Sequence, residues 1–210
     1  VRDVAPVMSA ITKLNAPILT TSRAPVAVST PLGNAKAIVF RDPDGYILEA
    51  VQAPVPADAP AAGNVVGAIM GLTVEDMDAA MMFWRDLLGF DLAGDRTFLT
   101  DPAMLDLFGL PKGSSFRSVL GVVPGSKARI SIIEFKGMPR NPFSLRVPDP
   151  GSSGMAIRVA AIGDLLARMK ANGVRVISKN GELVNWSPTL RNVFVKDPGG
   201  LNIELVGNAQ

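Results

Sequence analysis

Asp42-Pro43-Asp44-Gly45-Tyr46-Ile47-Leu48-Glu49 and Asp197-Pro198-Gly199-Gly200-Leu201-Asn202-Ile203-Glu204 are two copies of one pattern, Asp-Pro-x-Gly-x-x-x-Glu, one near each end of the chain. Asp in first place, Pro in second with its fixed φ, and Gly in fourth are the preferences of a type I turn. The residues after the glycine are mostly apolar, so each copy reads as a turn that feeds a strand carrying one carboxylate at a fixed place. Glu204 stands between Ile203 and Leu205. A carboxylate buried in such company without a partner is costly, so it is expected to be paired, bound to a ligand, or open to a cleft.

A longer plan repeats around the two copies. Before the first, Val4, Val7, Met8, Ile11 and Leu14 recur at helical spacing and Asn15-Ala16-Pro17 stops the run. Before the second, Ile162, Leu165, Leu166 and Met169 form an apolar stripe, Asn172-Gly173 supplies a left-handed stop, and Val174-Arg175-Val176-Ile177 reads as a strand. The middle of the chain holds a third copy. Val65 to Val74 reads as a strand, Asp76 as an N-cap, and Met77, Ala80, Met81, Trp84, Leu87 and Leu88 line one helix face that Gly89 ends. This copy lacks the turn motif but closes on Arg129-Ile130-Ser131-Ile132-Ile133-Glu134-Phe135, an apolar strand with one acid inside it. Linkers rich in Pro, Ala, Gly and Ser run from Pro54 to Asn64 and from Gly137 to Ser153. Within the middle copy, Asp101 caps a short helix opened by Pro102 and bearing Met104, Leu105, Leu107 and Phe108; it reads as core, a subunit contact, or a lid.

Composition bounds the function. Of 210 residues, 48% are apolar and 19% charged, which suits a well-buried globular chain of one to two domains. Lys and Arg number 21 against 19 Asp and Glu, with no basic run, so nucleic-acid binding is not expected. Cysteine is absent, which excludes disulfides and a thiolate ligand or nucleophile, and histidine is absent too. The usual general base is therefore missing. The longest apolar run, Val65 to Val74, is too short to span a bilayer, so no membrane contact is expected. Val1-Arg2-Asp3 reads as the tail of a strand entering a helix without an initiator methionine, so a preceding segment is expected and the compartment stays open.

Gly71-Leu72-Thr73-Val74-Glu75-Asp76-Met77, leading through Phe83-Trp84-Arg85-Asp86-Leu87-Leu88-Gly89-Phe90, resembles the opening of a βαβββ module of the vicinal oxygen chelate superfamily. That superfamily includes glyoxalase, bleomycin-resistance and extradiol dioxygenase proteins. The two turn-and-glutamate stretches resemble the end of such a module. The resemblance implies an α+β fold of repeated βαβββ modules, with mixed sheets curled into a U-shaped cleft. Residues 1–54 would be a partial module ending an N-terminal domain whose first half is absent, 55–64 a linker, and 65–207 a complete domain with modules 65–136 and 152–207.

In metal-dependent members each module gives one ligand from its first strand and one glutamate from its last. The glutamate places match Glu134 and Glu204, while Ile69 and Gly154 stand at the first-strand places and have no metal-binding side chain. No cofactor is therefore expected, the alternative being a divalent cation such as Mg²⁺ or Mn²⁺ held weakly by Glu134 and Glu204. Because residues two apart on a strand share a face, Gly71 and Thr73 go with Ile69, Ala156 and Arg158 with Gly154, and Asn202 with Glu204. Arg158 is then the counter-charge of a glutamate or the receptor of an anionic or carbonyl ligand. Glu134 is the first choice for a base; Glu49 ends a module whose partner strand would precede Val1. The leading expectation is a bleomycin-resistance-like protein that binds a small organic molecule, with Arg158, Thr73, Ile69, Gly154 and Asn202 lining the site. The alternatives are a lyase, isomerase or dioxygenase-like enzyme using Glu134 and Glu204, and an assembly module without a ligand. Packing of the unpaired module against another chain would make a homodimer.

Overall fold

The structure is a computed structural model of the 210-residue chain, and it describes residues 1–30, 33–57, 59–140 and 145–209. Parts of both linkers, residues 58 and 141–144, lie outside the described residues. The expected α+β class is what forms: one three-stranded and two four-stranded sheets, each with its own helix in sequence.

The N-terminal apolar stripe becomes α1 (Ala5–Leu14), ended by Asn15 in the left-handed region at φ 50°. Three antiparallel strands follow in the order β1 (Val26–Thr30), β2 (Gly33–Arg41), β3 (Ile47–Gln52). Alternation along β2 sends its two faces to different cores. Ile38 joins Val4, Ile11 and Ala50 on the α1 side. Ala35, Ala37 and Val39 join Val28 and Leu107 on the other.

Leu107 comes from far along the chain, in α3 (Pro102–Leu107), whose N-cap Asp101 accepts a hydrogen bond from Ala103 N. This helix is core. Thr20 Oγ1 donates to the Leu107 carbonyl at 3.0 Å, and Thr21 N and Ser22 N donate to the carbonyl and Oδ1 of Asp106 at 2.9 and 2.7 Å. Gly109 follows at φ 63°, and a Cβ there would stand 2.5 Å from the Leu19 carbonyl oxygen. The docking therefore requires glycine both for conformation and for close approach.

The middle copy supplies β4 (Ile69–Val74), α2 (Met77–Met81) continuing as a π-helical segment Met82–Leu87, β5 (Asp91–Ala93), β6 (Ser115–Val122) and β7 (Arg129–Lys136), with strand order β4-β7-β6-β5. Asp76 caps α2 by accepting from Asp78 N and Ala79 N. The first strand begins at Ile69, four residues later than the apolar run suggests.

The last copy supplies β8 (Gly154–Arg158), α4 (Ile162–Ala171), β9 (Val184–Asn185), β10 (Leu190–Lys196) and β11 (Asn202–Asn208), ordered β8-β11-β10-β9. The stripe Ile162, Leu165, Leu166 and Met169 is buried as its spacing requires. The strand expected over Val174–Ile177 reduces to one bridge, Val176 to Val195.

By compactness, Val1–Gly71, Ala93–Leu120 and Lys127–Pro139 form one unit, and Leu72–Leu92, Gly121–Ser126 and Arg140–Gln210 a second. No helix among the described residues is long and apolar enough to cross a membrane.

Candidate functional site

The repeated motif closes on itself in both copies. Asp42 Oδ1 accepts from Asp44 N and Tyr46 N at 3.0 and 2.8 Å, and Asp197 Oδ1 accepts from Leu201 N at 2.8 Å. The carbonyls of Asp42 and Asp197 each accept from the glycine three residues on, at 3.0 Å. Gly45 and Gly200 sit at φ 90° and 89°. The basic residue ahead of each Asp completes the unit: Arg41 Nη1 donates to Gly45 O at 2.6 Å and Lys196 Nζ to Gly200 O at 2.9 Å. The turn is thus a self-satisfied backbone device, and its chemistry is structural.

The second copy is buried where the first is exposed. Lys196 Nζ also donates to Leu145 O and Asn202 Oδ1, at 2.8 and 3.0 Å. Desolvation and the nearby Arg175 lower its pKa, against an opposing pull from Asp197. Burial raises the pKa of Asp197, partly offset by backbone donors and by Trp84. The Trp84 indole N–H approaches that carboxylate without closing a hydrogen bond of standard geometry.

The two glutamates behave differently. On β7, Glu134 shares its face with Ile130 and Ile132, both 0% exposed, whereas Ser131 and Ile133 on the other face are half-buried. Arg117 Nε and Nη2 both reach Glu134 Oε2, at 2.8 and 2.7 Å. The antiparallel bridge of Leu99 to Phe116 puts Phe98 beside Arg117. Arg117 Cζ and Lys136 Nζ lie 4.8 and 3.9 Å from the centre of the Phe98 ring, a doubly occupied cation–π contact. Glu134 is therefore matched by Arg117, a partner the sequence did not single out.

Glu204 lies on the half-buried face of β11, opposite Ile203 and Leu205. Strand registers map that face row by row. Gly154, Asn202 and Lys196 form one row; Ala156, Glu204 and Phe194 the next; Arg158, Val206, Asn192 and Val184 the third. Asn192 Nδ2 donates to Glu204 Oε1 at 2.7 Å. Arg158 is exposed and forms no ion pair with a described residue. The counter-charge drawn between Arg158 and a glutamate is thus not formed: Arg158 sits one row beyond Glu204, where the short Asn192 has taken the carboxylate.

The remaining residues of the expected site fall as follows. Gly154 and Ala156 are exposed beside Glu204 and leave its face open. Asn202 is buried; its Oδ1 accepts from Lys196 and its Nδ2 donates to Ser152 Oγ at 2.8 Å. Ile69 and Thr73 are exposed on β4. Glu49 shares a face with Val39, and desolvation there raises its carboxyl above the ordinary range although solvent reaches its open side.

Residues 66–205 match the sequence model of the Glyoxalase/Bleomycin resistance protein/Dioxygenase superfamily. The chain belongs to that superfamily. No characterised, curated protein matches the sequence of this glyoxalase-superfamily chain. Among solved structures, a glyoxalase family protein from Bacillus cereus is 19% identical, with 72% of this chain and 100% of that one covered at a TM-score of 0.61. A glyoxalase/bleomycin resistance protein/dioxygenase domain from Frankia is 17% identical over 71% of this chain and 100% of its own, at 0.45. The fosfomycin resistance protein FosX from Listeria monocytogenes, in a crystal with Mn(II) and sulfate, is 14% identical over 68% of this chain and 91% of its own, at 0.43.

The side chains of this superfamily member do not fit a tightly held metal. Ile69 and Gly154 offer no donor at the first-strand places, and Arg117 already satisfies Glu134. Among the described residues no group of three or more Asp or Glu is gathered to hold an ion.

Proposed function

We propose that this protein binds a small organic molecule, anionic or carbonyl-bearing, on the open face of the sheet β8-β11-β10-β9. The observation that carries this reading is Glu204: a half-buried carboxylate held by one amide, Asn192, on a face kept open by Gly154 and Ala156 and flanked by an exposed arginine, Arg158. A carboxylate in that position accepts ligand donors, and the guanidinium takes a carboxylate or carbonyl oxygen in bidentate fashion. Small-molecule sites set orientation with a small number of placed polar groups, the part assigned here to Glu204, Asn192 and Arg158. The lyase, isomerase or dioxygenase alternative draws on Glu134 and Glu204 together, and the engagement of Glu134 with Arg117 weighs against it.

Calorimetric screening of small organic acids and carbonyl compounds against the protein and its Glu204→Gln variant tests the reading. Binding that the substitution weakens is the expected result. A stoichiometric divalent metal in the purified protein, lost in the same variant, would overturn it in favour of the metal-dependent alternative.

A further inference from the structure

The sheet face that carries Glu204 has two unlike ends. At the β8 edge stands Arg158, exposed and without an ion-pair partner among the described residues. At the β9 edge stand Val184 and Trp186, 45% and 63% exposed. They share that face, because Val184 pairs with Asn192, and Trp186, donating its N–H to Leu190 O, continues the same hairpin ladder two residues on. Arg158, Val206, Asn192 and Val184 thus make one row across four strands. Three strand spacings put its ends about 14 Å apart, or roughly 10 Å once the reach of the guanidinium is taken off.

Between the ends lie Val206 and Asn192, and Glu204 stands one row to the side. Glu204 Oε1 is engaged by Asn192 Nδ2, while Glu204 Oε2 and Asn192 Oδ1 receive no donor from a described residue. The row therefore reads cation, Val206, the Asn192 amide with the Glu204 carboxylate beside it, then apolar and aromatic surface.

We propose that this face takes an elongated amphiphilic anion: an acidic group on Arg158, a donor such as an amide N–H or hydroxyl over Glu204 and Asn192, and an aromatic or aliphatic body laid on Val184 and Trp186. The proposal rests on the reading that Glu204 faces a ligand, and it adds the class of that ligand. Each end explains a feature that is otherwise unsatisfied. Arginine suits a carboxylate or sulfonate bidentately, and an indole supplies flat contact area at little entropic cost. The asymmetry matches one molecule with a polar and an apolar end; a second copy of the chain would be detected by its effect on mass.

The test compares hippurate, which carries a ring, an amide N–H and a carboxylate, with N-ethylbenzamide and N-acetylglycine, which lack the acid and the ring. Trp186 reports directly, because Trp84, the other indole, is fully buried. Hippurate is expected to perturb the exposed-tryptophan emission and to bind about tenfold more tightly than either probe that lacks one end. Arg158→Gln should remove the preference for hippurate over N-ethylbenzamide, and Trp186→Ala, followed by calorimetry, the preference over N-acetylglycine. Both positions are exposed, so neither substitution should unfold the protein. Equal affinity for all three probes, or indifference to Arg158→Gln, overturns the proposal. If other small organic molecules still bind in a Glu204-dependent way, the proposed function stands without this subsite; if none does, both fall. A dimer that Trp186→Ala dissociates in sedimentation would also overturn the proposal, assigning this edge to contact between copies.

Discussion

Arg117 reaches Glu134 through two nitrogens, Nε and Nη2, that converge on the single oxygen Oε2 at 2.8 and 2.7 Å, with side chains 15% and 4% exposed. At that burial the attraction and the lost hydration are both large, and removing one partner strands the other charge. Glu134→Leu and Arg117→Met are each expected to cost about 3–5 kcal/mol in urea unfolding, and the two together less than either alone. A double variant as damaged as the sum of the singles would show that the two side chains do not act as a pair.

The two copies of the turn motif form a natural comparison. Lys196 makes three hydrogen bonds in a buried setting, whereas Arg41 makes one at the surface. Lys196→Met is expected to cost about 2–3 kcal/mol and Arg41→Met under about 1 kcal/mol, because solvent replaces the exposed bond. Equal losses would mean that the basic residue matters only for closing the turn.

Much of the fold is legible in the sequence, because helix stripes, caps and turns obey local rules. Asp76, Asp101, Asn15 and Gly173 mark helix ends in both sequence and structure. The site is less legible. Glu134 and Glu204 carry the same apolar flanks, Ile and Phe or Ile and Leu, and a strand apolar on both sides gives no period-two signal of which face is buried. Only the packing tells them apart. Arg117 and Asn192 escaped notice for a related reason, since a cross-strand partner is set by register, and register is not written locally. Alternation along Ser115–Val122 could have flagged Arg117 as the one charge in an apolar strand.

Docking of α3 on the N-terminal sheet should be sharply sensitive at Gly109 and Leu107. Leu107→Ala removes a fully buried side chain from a cluster with Val28, Ala37 and Val39, at an expected cost of about 2–5 kcal/mol. Gly109→Ala adds a Cβ 2.5 Å from the Leu19 carbonyl oxygen at a positive φ, and should cost at least about 1–2 kcal/mol. Thermal melts check both. A neutral Gly109→Ala would show that α3 can separate from Leu19 without penalty.

Asp197 gives the fold a pH dependence of definite sign. Burial raises its carboxyl above the ordinary value, so the folded state holds the proton more tightly than the unfolded chain. Its stabilising effect is present at acid pH and lost as pH rises through the folded value. Asp197→Asn keeps an oxygen to accept from Leu201 N and removes the titration. Urea midpoints compared between about pH 3.5 and about pH 7 should fall less for Asp197→Asn than for the parent. A variant whose midpoints fall as steeply would assign the dependence to other groups.

Asn192 supplies the only donor among described residues that meets Glu204, and its replacement should be felt in stability. Asn192→Leu takes the amide away from a half-buried carboxylate and is expected to cost about 1–2 kcal/mol in urea unfolding at neutral pH. In a Glu204→Leu background the same substitution should cost much less, because the acceptor it served is gone. A penalty of equal size in the two backgrounds would mean that Asn192 acts through packing against Val206 and Val184, leaving the Glu204 charge to solvent.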